Sequence, residues 1–398
     1  MIYDLANTIF ALGVVGLYFP DWLTSQNLAD STLALTQSVA GVCVIFLAPW
    51  IGARSDITGR RMPALVVTTL VAVVATAGLT WGPIALTFVL LGIALVAVNT
   101  GSVVYDALLP VVASTDRQGR VSGLGVGVGY IGSFLGVGLG ALTLDVLDVG
   151  YGFTFVALGA GFLLFAVPTF AMIREPAPTH RREDPPPLRT VVGGLIASWR
   201  RARAHPNVMR FLIARFLYTD AINTLIGGFL TIFALEELGL DRRGSQNLLL
   251  IAIATAIVGG IGGGRLVERV GSVRSLRAAL VTWIAAILLG VFASVTDQPE
   301  LAGWIGALGG LALGATWAAD RVVMIRVSPP EHLGEFYGLY ATVGRFATIL
   351  GPLIWALIVD GLGWGRNTAM LALAGFVAAG WHLAGRVEGT SPHTKRPT

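Results

Sequence analysis

Long apolar runs alternate with short polar stretches along the whole chain. A helix needs about 20 apolar residues to cross a bilayer. By that measure the pattern predicts twelve spans, at about 2–23, 33–53, 63–80, 84–109, 121–144, 151–173, 208–235, 246–267, 275–295, 301–326, 335–359 and 364–385. Backbone polar groups in lipid must be satisfied internally, and runs of this length achieve that as helices. The longest polar stretch, Arg174 to Pro206, separates six spans from six. The expected organisation is an N-terminal bundle 1–173, a linker 174–207, a C-terminal bundle 208–385 and a tail 386–398. Within the linker, 188–203 reads equally well as an interfacial helix with a basic end or as plain connection.

Composition sharpens this picture. The chain has 398 residues, 55% hydrophobic and 13% charged; soluble domains carry about 25% charge. A net charge of +4 does not point to nucleic acid, because the basic residues sit in short loops, where membrane orientation needs them. With the N-terminus inside, 21 of the 27 Lys and Arg fall on the cytoplasmic side. Arg242, Arg243 and Arg366 fall outside, and Arg215, Arg321 and Arg345 lie within spans. Both termini are therefore expected in the cytoplasm. The expected protein is multi-pass, in the lipid bilayer of a prokaryotic plasma membrane, and works as a monomer. One cysteine, Cys43, leaves no internal disulfide to form. The five histidines show no metal-ligand spacing, so no metal site is expected. There is no G-x-x-x-x-G-K-[ST] phosphate loop and no nucleophile–base set in the spans, so an enzyme is not expected. No cofactor is expected either, beyond coupling to protons.

The two halves repeat. Asp4-x-x-Asn7-Thr8 recurs as Asp220-x-x-Asn223-Thr224, and Arg120-x-x-Gly123-Leu124 as Glu335-x-x-Gly338-Leu339. Gly52-x-x-x-Asp56-x-x-Gly59 recurs, weakened, as Gly264-x-x-x-Glu268-x-x-Gly271. The offsets, 216, 215 and 212 residues, are nearly one value. Parallel repeats of this kind build many secondary transporters. The expected fold class is an all-α membrane protein with twelve transmembrane helices in two six-helix pseudo-symmetric halves. In span 5, Gly132, Gly136 and Gly140 bare one helix face for close approach of another helix. Gly127-x-Gly129-x-x-Gly132 also spells a dinucleotide fingerprint, but it lies in an apolar span with no strand before it.

Gly52, Asp56, Gly59, Arg60 and Arg61 form a G-x-x-x-D-x-x-G-R-R stretch between spans 2 and 3. It resembles the signature loop of the major facilitator superfamily. Tyr3-Asp4-x-Ala6-Asn7-x-x-Phe10-Ala11 resembles the opening motif of the Atg22-like (UMF1) family within it, as do Tyr105-Asp106 with Leu109-Pro110 and Gly119-Arg120-Val121-Ser122-Gly123. The resemblance implies alternating access around a cavity lined by helices 1, 4, 7 and 10, and efflux of a small solute, an amino acid or related polar molecule being the first expectation. A lipid or lysolipid transporter of the same fold, and a receptor that transports nothing, are the competing readings. The span-5 spacing of Gly127, Gly136 and Gly140 resembles an exporter motif, but Ala141 stands where that motif has proline. Relatives carry more residues before the Tyr-Asp motif, so the start as given is expected to be trimmed or assigned late.

Ionisable groups inside spans are costly and mark function or pairing. The expected cavity set is Asp4, Asn7, Asn99, Asp106, Asp220, Asn223, Asp320, Arg321 and Arg345. Residues i and i+3 share a helix face, so Asp4/Asn7 and Asp220/Asn223 each offer a carboxylate beside an amide. Asp220 is the candidate proton site, and Arg321 and Arg345 are candidates to hold a carboxylate or phosphate. Asp4 reads also as a helix cap, and Arg321 as a gate partner of Asp106. The expected cytoplasmic gate is Gly52, Asp56, Gly59, Arg60, Arg61, Arg120 and Glu268, with Asp56 docking near Glu331–Glu335 or on Arg120 when that side is shut. Trp317 and Tyr218 read as packing more readily than as substrate contacts.

Overall fold

The computed structural model describes residues 2–58, 60–108, 118–173, 175 and 188–387. The regular elements among them are all helical. Six helices precede the linker: α1 (Ile2–Ser25), α2 (Asp30–Thr58), α3 (Met62–Ala77), α4 (Ile84–Asp106), α5 (Gln118–Ala141, continuing as Leu142–Val146) and α6 (Gly150–Met172). Helix α7 (Leu188–Ala202) lies in the linker. Six follow: α8 (Pro206–Glu236), α9 (Arg242–Val270), α10 (Ser272–Val295), α11 (Ala302–Val327), α12 (Leu333–Gly361) and α13 (Arg366–Ala384). Eleven helices among the described residues are long and apolar enough to cross a membrane; α3, with 16 residues, is apolar but shorter.

The helices pack as two groups. Helices α2, α3 and α4 pack together in the first, as do α1 and α5. Helices α9, α10 and α11 do so in the second, with α13 against α8 and α10. Glycine sets the closest crossings: a Cβ at Gly132 would strike the Leu5 carbonyl of α1, and one at Gly310 the Ala252 carbonyl of α9. The groups meet where α2 lies along the second part of α12, α1 along α8, and α5 along α9.

Two helices of the second group are interrupted. Helix α8 kinks at Gly228, whose φ of +111° suits only glycine. Helix α12 runs from Leu333 to Phe346, breaks over 347–349 and resumes at Leu350.

Residues 52–58 continue α2 rather than forming the expected loop. Within 52–58 there is no proline and only one glycine, which a helix tolerates. Helix α3 then starts at once, with Pro63 in its first turn, where its missing N–H costs nothing. Glu175, beyond α6, accepts from Arg61 N at 2.7 Å and Met62 N at 2.9 Å and so caps α3. The linker stretch 188–203 is largely helix: α7 packs on α2 and α12, and Arg201 Nε meets Glu335 Oε1 at 2.7 Å. The end of the molecule carrying α7 is the linker end below, and the other is the opposite end.

Candidate functional site

A cavity of about 550 Å³ lies between the two helix groups. Eight of its polar lining residues fall in pairs 215 or 216 residues apart, the spacing of the repeat: Asn7 with Asn223, Thr8 with Thr224, Ser133 with Thr348, and Tyr130 with Arg345; Gln37, Asn99 and Ser102 have no polar counterpart. Apolar side chains, among them Phe10, Trp283 and Trp317, make up most of the remainder. Asn7 Nδ2 donates to Ser102 Oγ at 3.3 Å, whereas its Oδ1 is buried without a partner.

Two arginine clusters close the opposite end. Arg242 of α9 reaches into the first group, with Nε 2.6 Å from Asp21 Oδ2 and Nη1 3.4 Å from Asp145 Oδ1. Its Nη2 donates to Tyr151 Oη at 2.8 Å, and Gln246 Nε2 donates to Asp145 Oδ2 at 2.7 Å. The second cluster has the same polarity, an arginine of the second group on a carboxylate of the first. Asp30 of α2, 1% exposed, accepts from Arg366 Nε at 2.9 Å, Arg366 Nη2 at 3.0 Å and Trp355 Nε1 at 2.8 Å. Between them Gln37 donates to the carbonyl of Gly227, freed by the α8 kink. Toward the linker end, Arg345 Nη2 stands 3.9 Å from Asp106 Oδ2, and the Asp106 side chain is 72% exposed. Water therefore reaches that end among the described residues, while the opposite end is sealed.

Of the residues expected in the cavity, Asn7, Asn99, Asn223 and Arg345 line it. The others do not, and each has a physical reason. Asp4 accepts from Tyr105 Oη at 2.7 Å, a contact to α4 rather than to the cavity. Asp106 sits at the last residue of α4, at the mouth. It pairs with Arg345, not with Arg321, which is exposed. Asp320 is fully buried within the second group, with Arg215 Nε at 3.4 Å from its Oδ2 and Tyr340 Oη donating at 3.0 Å. The Arg215 guanidinium also lies 3.8 Å from the centre of the Tyr340 ring.

Asp220 is the largest correction. It is 1% exposed and packs at the break in α12 against Gly351, and neither carboxylate oxygen has a hydrogen-bond partner among the described residues. Three residues on, Asn223 Nδ2 donates to the Ala347 carbonyl at 2.7 Å. The Asp220-x-x-Asn223 motif thus meets one break: the amide holds the outgoing carbonyl, and the carboxylate lies unbonded beside the start of the resumed helix, whose dipole favours its charge. Asp220 does not reach the cavity lining. Of the expected gate, Arg60 and Glu268 are exposed, and Gly52 lies within α2. Gly59 and the side chains of Asp56 and Arg120 lie outside the described residues.

The sequence profile of the Major Facilitator Superfamily matches residues 5–352, and again 225–398. The chain belongs to the Major Facilitator Superfamily. An uncharacterized transporter of this superfamily from Bacillus subtilis, YxiO, is 26% identical over 397 residues, covering 94% of this chain and 90% of that one. Autophagy-related protein 22-1 of Penicillium rubens is 28% identical over 61% of this chain, but only 45% of its own length. That likeness agrees with the Atg22-like motifs at Tyr3–Ala11. Among solved structures, a mutant of the nucleoside transporter NupG superposes with a TM-score of 0.75 at 14% identity, over 97% of this chain and 98% of that one. A bacterial homologue of the human lysosomal transporter Spinster, inward-facing and unoccupied, gives 0.64 at 16% identity, over 97% and 92%. At these identities the structures speak for the fold alone. A facilitator of this superfamily is a multi-pass membrane transporter.

Sequence reading misses the closing clusters. On sequence, Arg242 and Arg366 are only charges outside the spans, and Asp21, Asp30 and Asp145 only span ends. One signal is available: Asp145 and Asp360 are 215 residues apart, the spacing of the repeat. Asp360 accepts from Ser31 N across the same interface. Trp317, expected to pack, lines the cavity. Among the described residues no cluster of His, Cys, Asp and Glu is placed to hold a metal ion.

Proposed function

We propose that this chain is a secondary transporter that exports a small polar solute from a prokaryotic cell by alternating access, with the linker end in the cytoplasm. The observation that carries the reading is a cavity between two helix groups, closed at one end by the Arg242 and Arg366 clusters and open to water at the other. Rocking one group against the other would part those clusters and seal the mouth at Asp106. Export rests on the Atg22-like motifs, and the cytoplasmic linker end on the 21 basic residues assigned to that side. Proton coupling, expected first at Asp220, fits Asp106 better. That carboxylate reaches water and stands 3.9 Å from Arg345.

The test is flux in proteoliposomes. Loaded vesicles should show counterflow of a solute that also raises the thermal stability of the purified protein. A protein that binds solutes but moves none of them is the receptor of the competing reading. A lipid or lysolipid cargo is the second reading, favoured by one feature. An apolar groove of about 620 Å³ between α2, α3 and α4, lined by Val39, Val67 and Val96, shares Ala40 with the central cavity. Transport of lysolipid that is blocked by Ala40→Trp, with polar solutes unmoved, would favour it.

A further inference from the structure

The cavity carries an imbalance of charge that names its cargo more narrowly. Arg345 is the one formally charged residue in the lining among the described residues. Its partner in the repeat, Tyr130, is neutral, so the charge belongs to the second half alone. A cation among apolar walls needs a counter-ion. Its acidic neighbour, Asp106, belongs to the other half, stands off at 3.9 Å and points largely into water. That distance is longer than a charge-assisted hydrogen bond, so the pair is loose.

The carboxylates that would receive an ammonium group lie outside the cavity lining. Asp4 accepts from Tyr105, Asp320 faces Arg215 and Tyr340, and Asp220 faces the break in α12. The walls offer Phe10, Trp283 and Trp317 to an apolar body, and the exposed Asn99 to a hydroxyl or amide on it.

Building on the transport reading, we infer that the cargo is an organic anion with an apolar or aromatic body, that its anionic group binds Arg345, and that it does so by displacing Asp106. Asp106 is then a built-in competitor. When the cargo binds, the ion pair tying α4 of one half to α12 of the other is released. When the cargo leaves, the pair re-forms. A zwitterionic amino acid fits less well than its deaminated analogue, because no acidic side chain in the described lining meets the ammonium.

The test uses full-length purified protein and matched probes: phenylacetate, phenylacetamide, phenethylamine and phenylalanine, with naphthoate and benzenesulfonate as further anions. Binding is read by calorimetry and by fluorescence of the cavity tryptophans, and movement by counterflow. The expected order is anions first, with the amide, amine and amino acid at least about tenfold weaker. Arg345→Gln should abolish the preference for anions. Asp106→Asn should tighten anion binding by about two- to fivefold, the scale of a water-exposed ion pair, without tightening phenylacetamide. Retention of the Arg242 and Arg366 closure in each variant, read by limited proteolysis of the opposite end, separates a lost contact from a lost fold. Equal binding of amine and anion, a preference that survives Arg345→Gln, or no anion binding at all would each overturn the inference. Movement of phenethylamine but not phenylacetate would end the anion reading and leave transport standing. The predicted binding pattern without any movement would do the reverse.

Discussion

Asp30 offers the sharpest perturbation of the closed end. Its carboxylate is buried and accepts three hydrogen bonds from the other half, two of them from one guanidinium side by side. Asp30→Asn keeps the shape and one acceptor but removes the charge, so at least one of the Arg366 bonds is lost. A hydrogen bond to a charged group is worth about 1.5–3 kcal/mol net. In the open state Asp30 and Arg366 are hydrated, so the loss falls on the sealed state alone. The ratio of sealed to open molecules should then drop by about ten- to a hundredfold, at about 1.4 kcal/mol per factor of ten. Arg366 keeps Glu236 at 3.6 Å and Glu237 at 3.7 Å, which limits secondary damage. The assay is a pulsed spin-label distance measurement between exposed positions on the two halves, Gln26→Cys and Glu300→Cys, in a Cys43→Ser background. A longer-distance population should appear in the variant. An unchanged distribution, in a variant whose solute transport is also unchanged, would refute the reasoning that this cluster holds the end shut.

Other expectations follow from the same contacts. Asp220→Ala should lower stability by at most about 2 kcal/mol, the scale of a carboxylate at a partly buried helix N-terminus, while the Km for the solute changes less than about twofold; thermal unfolding and counterflow read the two separately. Asp320→Asn should cost more, about 3–5 kcal/mol, because it leaves Arg215 buried without its counter-ion, and the double change Arg215→Met/Asp320→Leu should recover much of the lost thermal stability. Glu175→Gln should loosen the start of α3, seen as faster hydrogen exchange at Arg61 and Met62, with flux retained. Gly132→Val should prevent accumulation of folded protein, since its side chain has no room beside Leu5 and Thr8.

Much of the architecture is legible in the sequence because it follows from solvent. A helix in lipid must be long and apolar, and that condition leaves a mark on every span. The repeat is legible for the same reason: Asp4 and Asp220 stand out against apolar surroundings. What does not follow is which way those carboxylates turn. The sequence pattern around Asp220 and Asn223 tells that they share a face, but not that the facing helix is broken at 347–349 and meets both. The break has one trace in the sequence: Pro352 has no N–H to give the carbonyl of residue 348, and its ring crowds that carbonyl, which interrupts the helix at 347–349. The closing clusters are hidden by their position at span ends, where charge is ordinary. Only the pairing across 221 residues between Asp21 and Arg242 gives them meaning, and that pairing is a property of the assembled bundle.

The most direct test of alternating access is to bind the opposite end shut. Ser31→Cys and Asp360→Cys, placed where Ser31 N meets Asp360 across the two halves, can be bridged by a short reducible crosslinker in a Cys43→Ser background. Bridging should stop solute flux and leave solute binding from the linker end intact, and reduction should restore flux. Undiminished flux through the bridged protein would contradict it.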